Sequence, residues 1–240
     1  MSATRNAIVT GGTGGLGTAV TRELLAHGWH VTVPWRERAE ADRLLESPGV
    51  SDARERLTLV EADLFDPDDA RRVVSASAQQ SGTADTAALV NLVGGFAAGG
   101  RVHETPVEDF ERQFQLNLRP AYLMCAAVLP ELLERGGGAI VCVSTRAAKR
   151  PFAGAAGYIA SKAAVLAFVE ALATEYTQDG VRANAVLPSV IDTPGNRAAQ
   201  PQADHSRWVA PAEIAKVIRF LCSEESAPVS GAHVPVYGRA

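Results

Sequence analysis

The chain has 240 residues, of which 47% are hydrophobic and 21% charged, and its formal net charge is −4. This length fits one large α/β domain better than two small domains. The net charge is mildly negative, so the composition does not indicate the basic surface of a nucleic-acid-binding protein. Three scattered cysteines, at positions 125, 142 and 222, argue against a disulfide framework or a zinc site.

Targeting and membrane segments are not indicated either. The N-terminus has no hydrophobic signal segment. The longest weakly polar stretch, residues 87–100, is short and glycine-rich for a membrane span. We therefore expect a cytoplasmic protein with no membrane or nucleic-acid partner.

Short apolar runs alternate with helical patterns along the whole chain. The runs predict strands at Asn6–Thr10, His30–Pro34, Leu57–Glu61, Ala87–Leu92, Ala139–Val143, Ala183–Leu187 and His233–Tyr237. Helices are predicted up to His27, over Ala39–Leu45, from Pro67, from Thr105 to Glu134 with a bend near Pro120, over Gly157–Asp179 and over Pro211–Cys222. This alternation predicts an α/β fold: one doubly wound, Rossmann-like parallel sheet over residues 1–240 with helices on both faces. The irregular segment 189–208 is predicted to be a substrate lid.

A glycine cluster at positions 11–17 follows the first predicted strand and opens a helix. Glycines there let the backbone approach a pyrophosphate, which sits at the positive end of the helix. The alternative is a tight turn that binds nothing. The strand–loop–helix context favours a dinucleotide.

The end of the second strand indicates which dinucleotide. An acidic residue there would bind the ribose hydroxyls of NAD, whereas an arginine accommodates the 2′-phosphate of NADP. The chain has Trp35 at the acidic position and Arg36 next to it. We therefore expect NADP(H), with NAD(H) as the alternative. The alternative is that Arg36 and Arg38 are solvated charges at the start of the next helix.

Tyr158 and Lys162 are four residues apart in the long helix predicted after the fifth strand, so their side chains share one face. A phenol has a pKa near 10, and a neighbouring cation would favour its ionised form. Alone, such a pair is commonly a solvated helix surface. In a parallel sheet, however, ligands bind at the carboxyl ends of the strands, where this pair would lie.

Taken together, these residues make the sequence resemble the short-chain dehydrogenase/reductase family. The matching positions are Thr10, Gly11, Gly15, Gly17, Asp63, Asn91, Gly94, Asn117, Ser144, Tyr158, Lys162, Pro188 and Thr193. They cover essentially the whole chain in the family's order. The resemblance implies hydride transfer between a nicotinamide cofactor and a small carbonyl or alcohol substrate.

The resemblance also assigns roles to residues. Tyr158 would be the general acid or base, Lys162 would lower its pKa, Ser144 would bind the substrate oxygen and Asn117 would hold a water. The implied cofactor contacts are Gly11, Thr13, Gly15, Leu16, Gly17, Arg36, Asp63, Leu64, Asn91, Gly94, Tyr158, Lys162, Pro188, Ile191 and Thr193.

One catalytic position is ambiguous. The family's serine usually stands thirteen residues before the tyrosine, where this chain has Thr145, whereas Ser144 lies at fourteen. We prefer Ser144, because the loop from Arg146 to Gly157 can absorb one extra residue.

Other functions remain open. Segments around 94–100 and 192–208 are similar to those of dihydropteridine reductases, which leaves an imine reductase as an alternative. A cofactor-sensing protein without turnover is another. The apolar faces of Leu118–Leu132 and Val165–Leu172 correspond to interface helices in the family, so we expect a homo-oligomer, a dimer or tetramer.

Overall fold

A computed structural model of the chain describes residues 5–80 and 86–239. Seven parallel strands form one sheet in the order β3-β2-β1-β4-β5-β6-β7. The strands are β1 Asn6–Thr10, β2 His30–Trp35, β3 Leu57–Glu61, β4 Thr86–Asn91, β5 Gly138–Val143, β6 Val181–Pro188 and β7 His233–Val236. The predicted doubly wound α/β fold is confirmed.

The strand order reverses between β1 and β4. Chain order runs outward from β1 to β3 on one side and from β4 to β7 on the other. Thr10 and Asn91, the last residues of β1 and β4, are neighbours across this boundary. In open parallel sheets a crevice forms at such a switch point, outside the carboxyl ends of the strands.

Helices cover both faces of the sheet. They are α1 Gly15–Ala26, α2 Arg38–Glu46, α3 Pro67–Gln80, α4 Val107–Asn117, α5 Arg119–Arg135, α6 Ala156–Tyr176, α7 Pro194–Ala199 and α8 Pro211–Cys222. On one face α1 and α8 pack in a core around Leu24 and Ile218. On the other, α3, α5 and α6 pack around Val73, Met124 and Val169.

The prediction of a single bent helix from Thr105 to Glu134 is wrong about its continuity. Two helices occupy this span, and Leu118 joins them with φ −109° and ψ −45°. Pro120 stands in the first turn of α5, where its missing N–H leaves no helical bond unmade. The break places Asn117 at the end of α4, beside the crevice rather than within a continuous rod.

Helix α6 is apolar around most of its circumference. The stretch Ala156–Asp179 has a mean hydropathy of 1.4 in its most apolar window, and a third of that window is buried. By length and composition it alone, among the described helices, could cross a membrane. Here its buried side, with Val165 and Leu172, packs on the sheet. Its other side leaves apolar surface uncovered.

Candidate active site

The glycine-rich loop after β1 folds back closely against the start of α1. Gly11 has a φ of +65°, in the left-handed region that favours glycine. A Cβ on Gly17 would lie 2.0 Å from the carbonyl oxygen of Gly11. No side chain therefore fits at position 17 without moving the loop.

The N-terminus of α1 fits an anionic group. Its N-cap, Gly14, makes no side-chain hydrogen bond, and the first turn holds no acidic residue. The unpaired N–H groups and the positive end of the helix dipole thus lack a counter-charge from this turn. The diphosphate of a dinucleotide would supply one.

Other predicted cofactor residues in this loop already have protein partners. Thr13 Oγ1 donates a hydrogen bond to Glu40 Oε2 at 3.0 Å. The Leu16 side chain packs against the core, which leaves its backbone to face the loop. A Cβ on Gly15 would lie 2.9 Å from Thr193 Cγ2, so glycine lets the segment after β6 approach the start of α1.

Charged side chains surround an open cavity at the ends of β2 and β3. An Arg36 guanidinium nitrogen lies 3.8 Å from Asp63 Oδ1, and both side chains are about half exposed. The cavity measures about 530 Å³ and is lined by Arg36, Glu37, Glu61, Ala62, Asp63, Asp69 and Arg72. Asp63 also accepts a hydrogen bond from Phe65 N at 3.1 Å, in a tight turn. The Leu64 side chain is buried in the core.

Asn91 holds the switch point together. Its side chain is buried, and Nδ2 donates to Cys125 Sγ at 3.4 Å and Cys142 Sγ at 3.6 Å. Thr10 Oγ1 donates to Asn91 Oδ1 at 3.5 Å. These bonds join β1, β4, β5 and α5 just below the loop, so the side chain of Asn91 fixes the sheet edge.

Asn117 links the loop after β4 to α6. Its Oδ1 accepts from Gly95 N at 2.9 Å, and its Nδ2 donates to Ser161 Oγ at 3.1 Å. Ser161 Oγ in turn donates to the carbonyl of Tyr158 at 2.8 Å. Asn117 is 2% exposed and Ser161 fully buried. This chain of bonds sets the position of Tyr158 relative to the loop.

Ser144 and Thr145 have different partners in the structure, and these partners favour Thr145 over the expected Ser144. The buried Oγ of Ser144 donates at 2.7 Å to the backbone carbonyl of Lys162, behind the crevice. Side chains of consecutive residues at a strand end point to opposite sides. The neighbouring Thr145 therefore faces the other way, and its side chain hydrogen-bonds Tyr158. Thr145 is the hydroxyl beside the phenol.

Tyr158 is a neutral phenol held in an apolar setting. Burial raises its pKa above the ordinary value, and the hydrogen bond with Thr145 partly offsets this. The ring of Phe96 packs edge-on against it, with centroids 4.9 Å apart. At neutral pH the group therefore carries a proton that it can donate.

Lys162 lies beneath the same point and is 6% exposed. Its Nζ donates to the carbonyl of Val143 at 3.0 Å. A Cβ on Gly94 would lie 3.0 Å from this Nζ and 2.6 Å from Asn117 Oδ1, so glycine leaves these polar groups uncovered. Burial lowers the pKa of Lys162 to about 8. Below that pH its ammonium is a cation beside the crevice.

The predicted lid begins where β6 ends, at Pro188. Ile191 forms an isolated parallel bridge with Val209. Thr193 Oγ1 accepts from Asn196 N at 3.2 Å and caps α7. Both ends of segment 189–208 are thus attached to the fold, and the segment stands beside the start of α1. Its role as a lid remains a prediction.

The structure brings Tyr158, Lys162, Thr145 and Asn117 to one edge of the sheet. Ser161, which completes the link between Asn117 and Tyr158, was not identified from the sequence. It lies one residue before Lys162 on the helix, and its sequence position alone does not distinguish it from an ordinary buried serine. The arrangement can donate a proton and stabilise negative charge on an oxygen.

Comparisons with known proteins identify the family of this chain. Residues 5–204 match the family described as short chain dehydrogenase. The chain is 32% identical over 246 residues to 2-(R)-hydroxypropyl-CoM dehydrogenase of Xanthobacter autotrophicus, covering 98% of this chain and 97% of that protein. It is 32% identical over 245 residues to dehydrogenase/reductase SDR family member 4 of Bos taurus, covering 97% and 85%.

A solved structure shares the fold. The short-chain type dehydrogenase/reductase from Mycobacterium ulcerans superposes with a TM-score of 0.89 at 24% identity, covering 100% of this chain and 90% of that one.

Proposed function

The chain belongs to the short-chain dehydrogenase/reductase family and is an oxidoreductase, and we propose that it interconverts a carbonyl and an alcohol with Tyr158 as the proton donor or acceptor. One observation carries the proposal. The Tyr158 phenol and the Thr145 side chain are hydrogen-bonded, and the Lys162 ammonium donates to the carbonyl of Val143, the last residue of β5. The Xanthobacter relative is itself named for dehydrogenating a hydroxyalkyl compound.

The protein's own residues manage the proton. When bound between these residues, NAD(P)H would supply the hydride for the carbonyl carbon. Tyr158 gives its proton to the carbonyl oxygen, and Thr145 holds that oxygen by a hydrogen bond. Lys162 stabilises the phenolate that remains, because its ammonium is buried where its charge is weakly screened. In oxidation Tyr158 takes the proton back.

The residues around the crevice fit a dinucleotide. The first turn of α1 would bind the diphosphate, and the open cavity at Arg36 and Asp63 would take the adenosine end. We expect NADP(H) to be preferred over NAD(H), because Arg36 stands where a 2′-phosphate would need a cation. Gly94, Lys162 and Thr193 lie toward the opposite end.

Self-association is part of the proposal. Tyr122 of α5 is 56% exposed, and its ring contacts that of Phe168 on α6, 5.9 Å between centroids. This apolar surface continues along the uncovered side of α6. A dimer or tetramer that buries it would show as a mass of two or four chains in light scattering.

The decisive experiment is turnover of a panel of ketones and secondary alcohols with NADPH, NADH and their oxidised forms. We expect reduction of at least one ketone. Turnover of quinonoid dihydropterin but of no ketone would replace the proposal with imine reduction. Cofactor binding without any turnover would indicate a cofactor-sensing protein instead.

A further inference from the structure

Two exposed phenylalanines flank the candidate catalytic phenol. Phe96 is 63% exposed and Phe152 is 49% exposed. The Phe96 ring meets Tyr158 at an interplanar angle of 86°, and lies 6.4 Å from the Phe152 ring. Apolar surface gathered in this way usually marks a binding site.

The two loops that carry these rings are tied down. Gly95 N donates to Asn117 Oδ1 at 2.9 Å, which fixes the residue just before Phe96. Gly99 N donates to the carbonyl of Gly154 at 2.8 Å, which joins the loop after β4 to the loop before α6. The two exposed rings therefore lie on loops that hydrogen bonds hold in place.

Space for a ligand adjoins this surface. A cavity of about 290 Å³ borders Tyr158 between residues 97–100, residues 154–157 and the first turns of α4. Phe110 and the charged Glu104, Asp109 and Arg112 also line it, whereas Phe96 and Phe152 lie outside its lining. This is close to the lower limit of roughly 300 Å³ for small-molecule sites. A compact substrate with its oxygen at Tyr158 would place its apolar part on Phe96, whose ring packs against the phenol.

We infer that the substrate is an aryl carbonyl compound, in which a planar aromatic ring is attached at or next to the reacting carbon. This rests on the proposed function and names its substrate class. Aromatic rings gain edge-to-face and offset-stacked contacts with phenylalanine beyond the area that they bury. A puckered aliphatic ring of the same size lacks these contacts.

The test compares acetophenone with cyclohexyl methyl ketone, which match in carbon count and differ in ring planarity. The kcat/KM ratio of the pair is measured for the wild type, Phe96→Leu and Phe152→Leu. Phe220→Leu is the control, since Phe220 is 38% exposed on α8. Because ratios are compared between proteins, the intrinsic reactivities of the two ketones cancel.

We expect the aryl-to-alicyclic ratio to fall about 3- to 10-fold in Phe96→Leu, the size of an aromatic pair contact. A smaller fall is expected in Phe152→Leu and none in Phe220→Leu. An unchanged ratio in both site variants, or an equal fall in the control, would overturn the inference.

A second arm separates this inference from the proposed reaction. Binding of the unreactive amides benzamide and cyclohexanecarboxamide is measured by NMR in the presence of NADP⁺ or NAD⁺. Tighter binding of benzamide that is lost in Phe96→Leu supports the aromatic site even if no ketone is reduced. Equal binding of the two amides, or no binding of either, overturns it.

Discussion

The two ends of the crevice hold their polar groups in opposite ways. At the ribose end, where β2 and β3 finish and where we propose that the ribose of the cofactor binds, Arg36 and Asp63 are 60% and 49% exposed and line a wide cavity. At the acid–base end, where β5 finishes and α6 begins, Asn117 and Lys162 are almost fully buried and hydrogen-bonded. The polar side chains at one end are exposed to solvent, and those at the other end are buried and held by hydrogen bonds.

This difference indicates what each end can tolerate. An exposed ion pair contributes about 0–1 kcal/mol to stability, so Arg36 can exchange its carboxylate for a phosphate at little cost. A buried partner left unsatisfied costs about 1–3 kcal/mol. Changes at the ribose end should therefore alter cofactor choice, and changes at the acid–base end should alter turnover or folding.

The largest effect is expected from Tyr158→Phe. It removes the proton donor and leaves the ring against Phe96, so kcat should fall roughly 10²–10⁴-fold. Thermal unfolding should stay near that of the wild type, which serves as the control for folding. Full turnover in this variant would show that another group moves the proton.

Thr145→Val and Ser144→Ala should separate the two adjacent hydroxyls. Thr145→Val removes the hydrogen bond to the reacting oxygen and should lower kcat roughly 10²-fold. Ser144→Ala removes the buried hydrogen bond to the Lys162 carbonyl and should lower the free energy of unfolding by about 1 kcal/mol. Steady-state kinetics and urea denaturation measure the two effects, and a reversed pattern would restore Ser144 to the site.

Reduction should lose rate as pH rises through about 8. Burial lowers the pKa of Lys162 to about 8, so its ammonium is present below that pH and lost above it. For one ionisation kcat/KM then falls about tenfold per pH unit. Between pH 8 and 10.5 the unfolded state holds more protons than the folded one, so the same group makes the free energy of unfolding rise. A flat kcat/KM up to pH 10 would contradict this role.

The smallest effect is expected at the ribose end. Arg36→Ala should weaken NADPH binding about tenfold and NADH binding little, because only NADPH has the 2′-phosphate. Arg38→Ala is the matched control, since Arg38 is already bonded to Asp42 at 2.9 Å. Isothermal titration calorimetry measures the affinities for both cofactors. Equal losses of affinity for NADPH and NADH would show that Arg36 does not select between them.

Much of the fold was predictable because local patterns repeat. Buried apolar runs and helical stripes place the seven strands close to the residues where the structure has them. The position of Tyr158 followed from helix geometry and from its place after β5. The break at Leu118 was harder to predict from the sequence. Proline is compatible both with a bend inside one helix and with the first turn of a new helix, which is where Pro120 lies.

The orientation of side chains at the site could not be predicted. Ser144 and Thr145 are both small hydroxyl residues, and counting residues to Tyr158 does not reveal which way a strand end turns. The family's usual spacing pointed to Thr145, and in the structure its side chain is hydrogen-bonded to Tyr158. Phe96 is another case, because its contact with Tyr158 depends on how the loop after β4 folds.

The buried thiols near Asn91 offer a way to observe the crevice directly. Cys125 and Cys142 are both fully enclosed, one on α5 and one on β5. A maleimide reaches them only when the sheet edge opens, so the labelling rate reports how often these elements separate. Cys222, buried on α8 on the other face, provides an internal reference. The labelling rates of these cysteines thus report local opening at two places: Cys125 and Cys142 beneath the candidate active site, and Cys222 away from it.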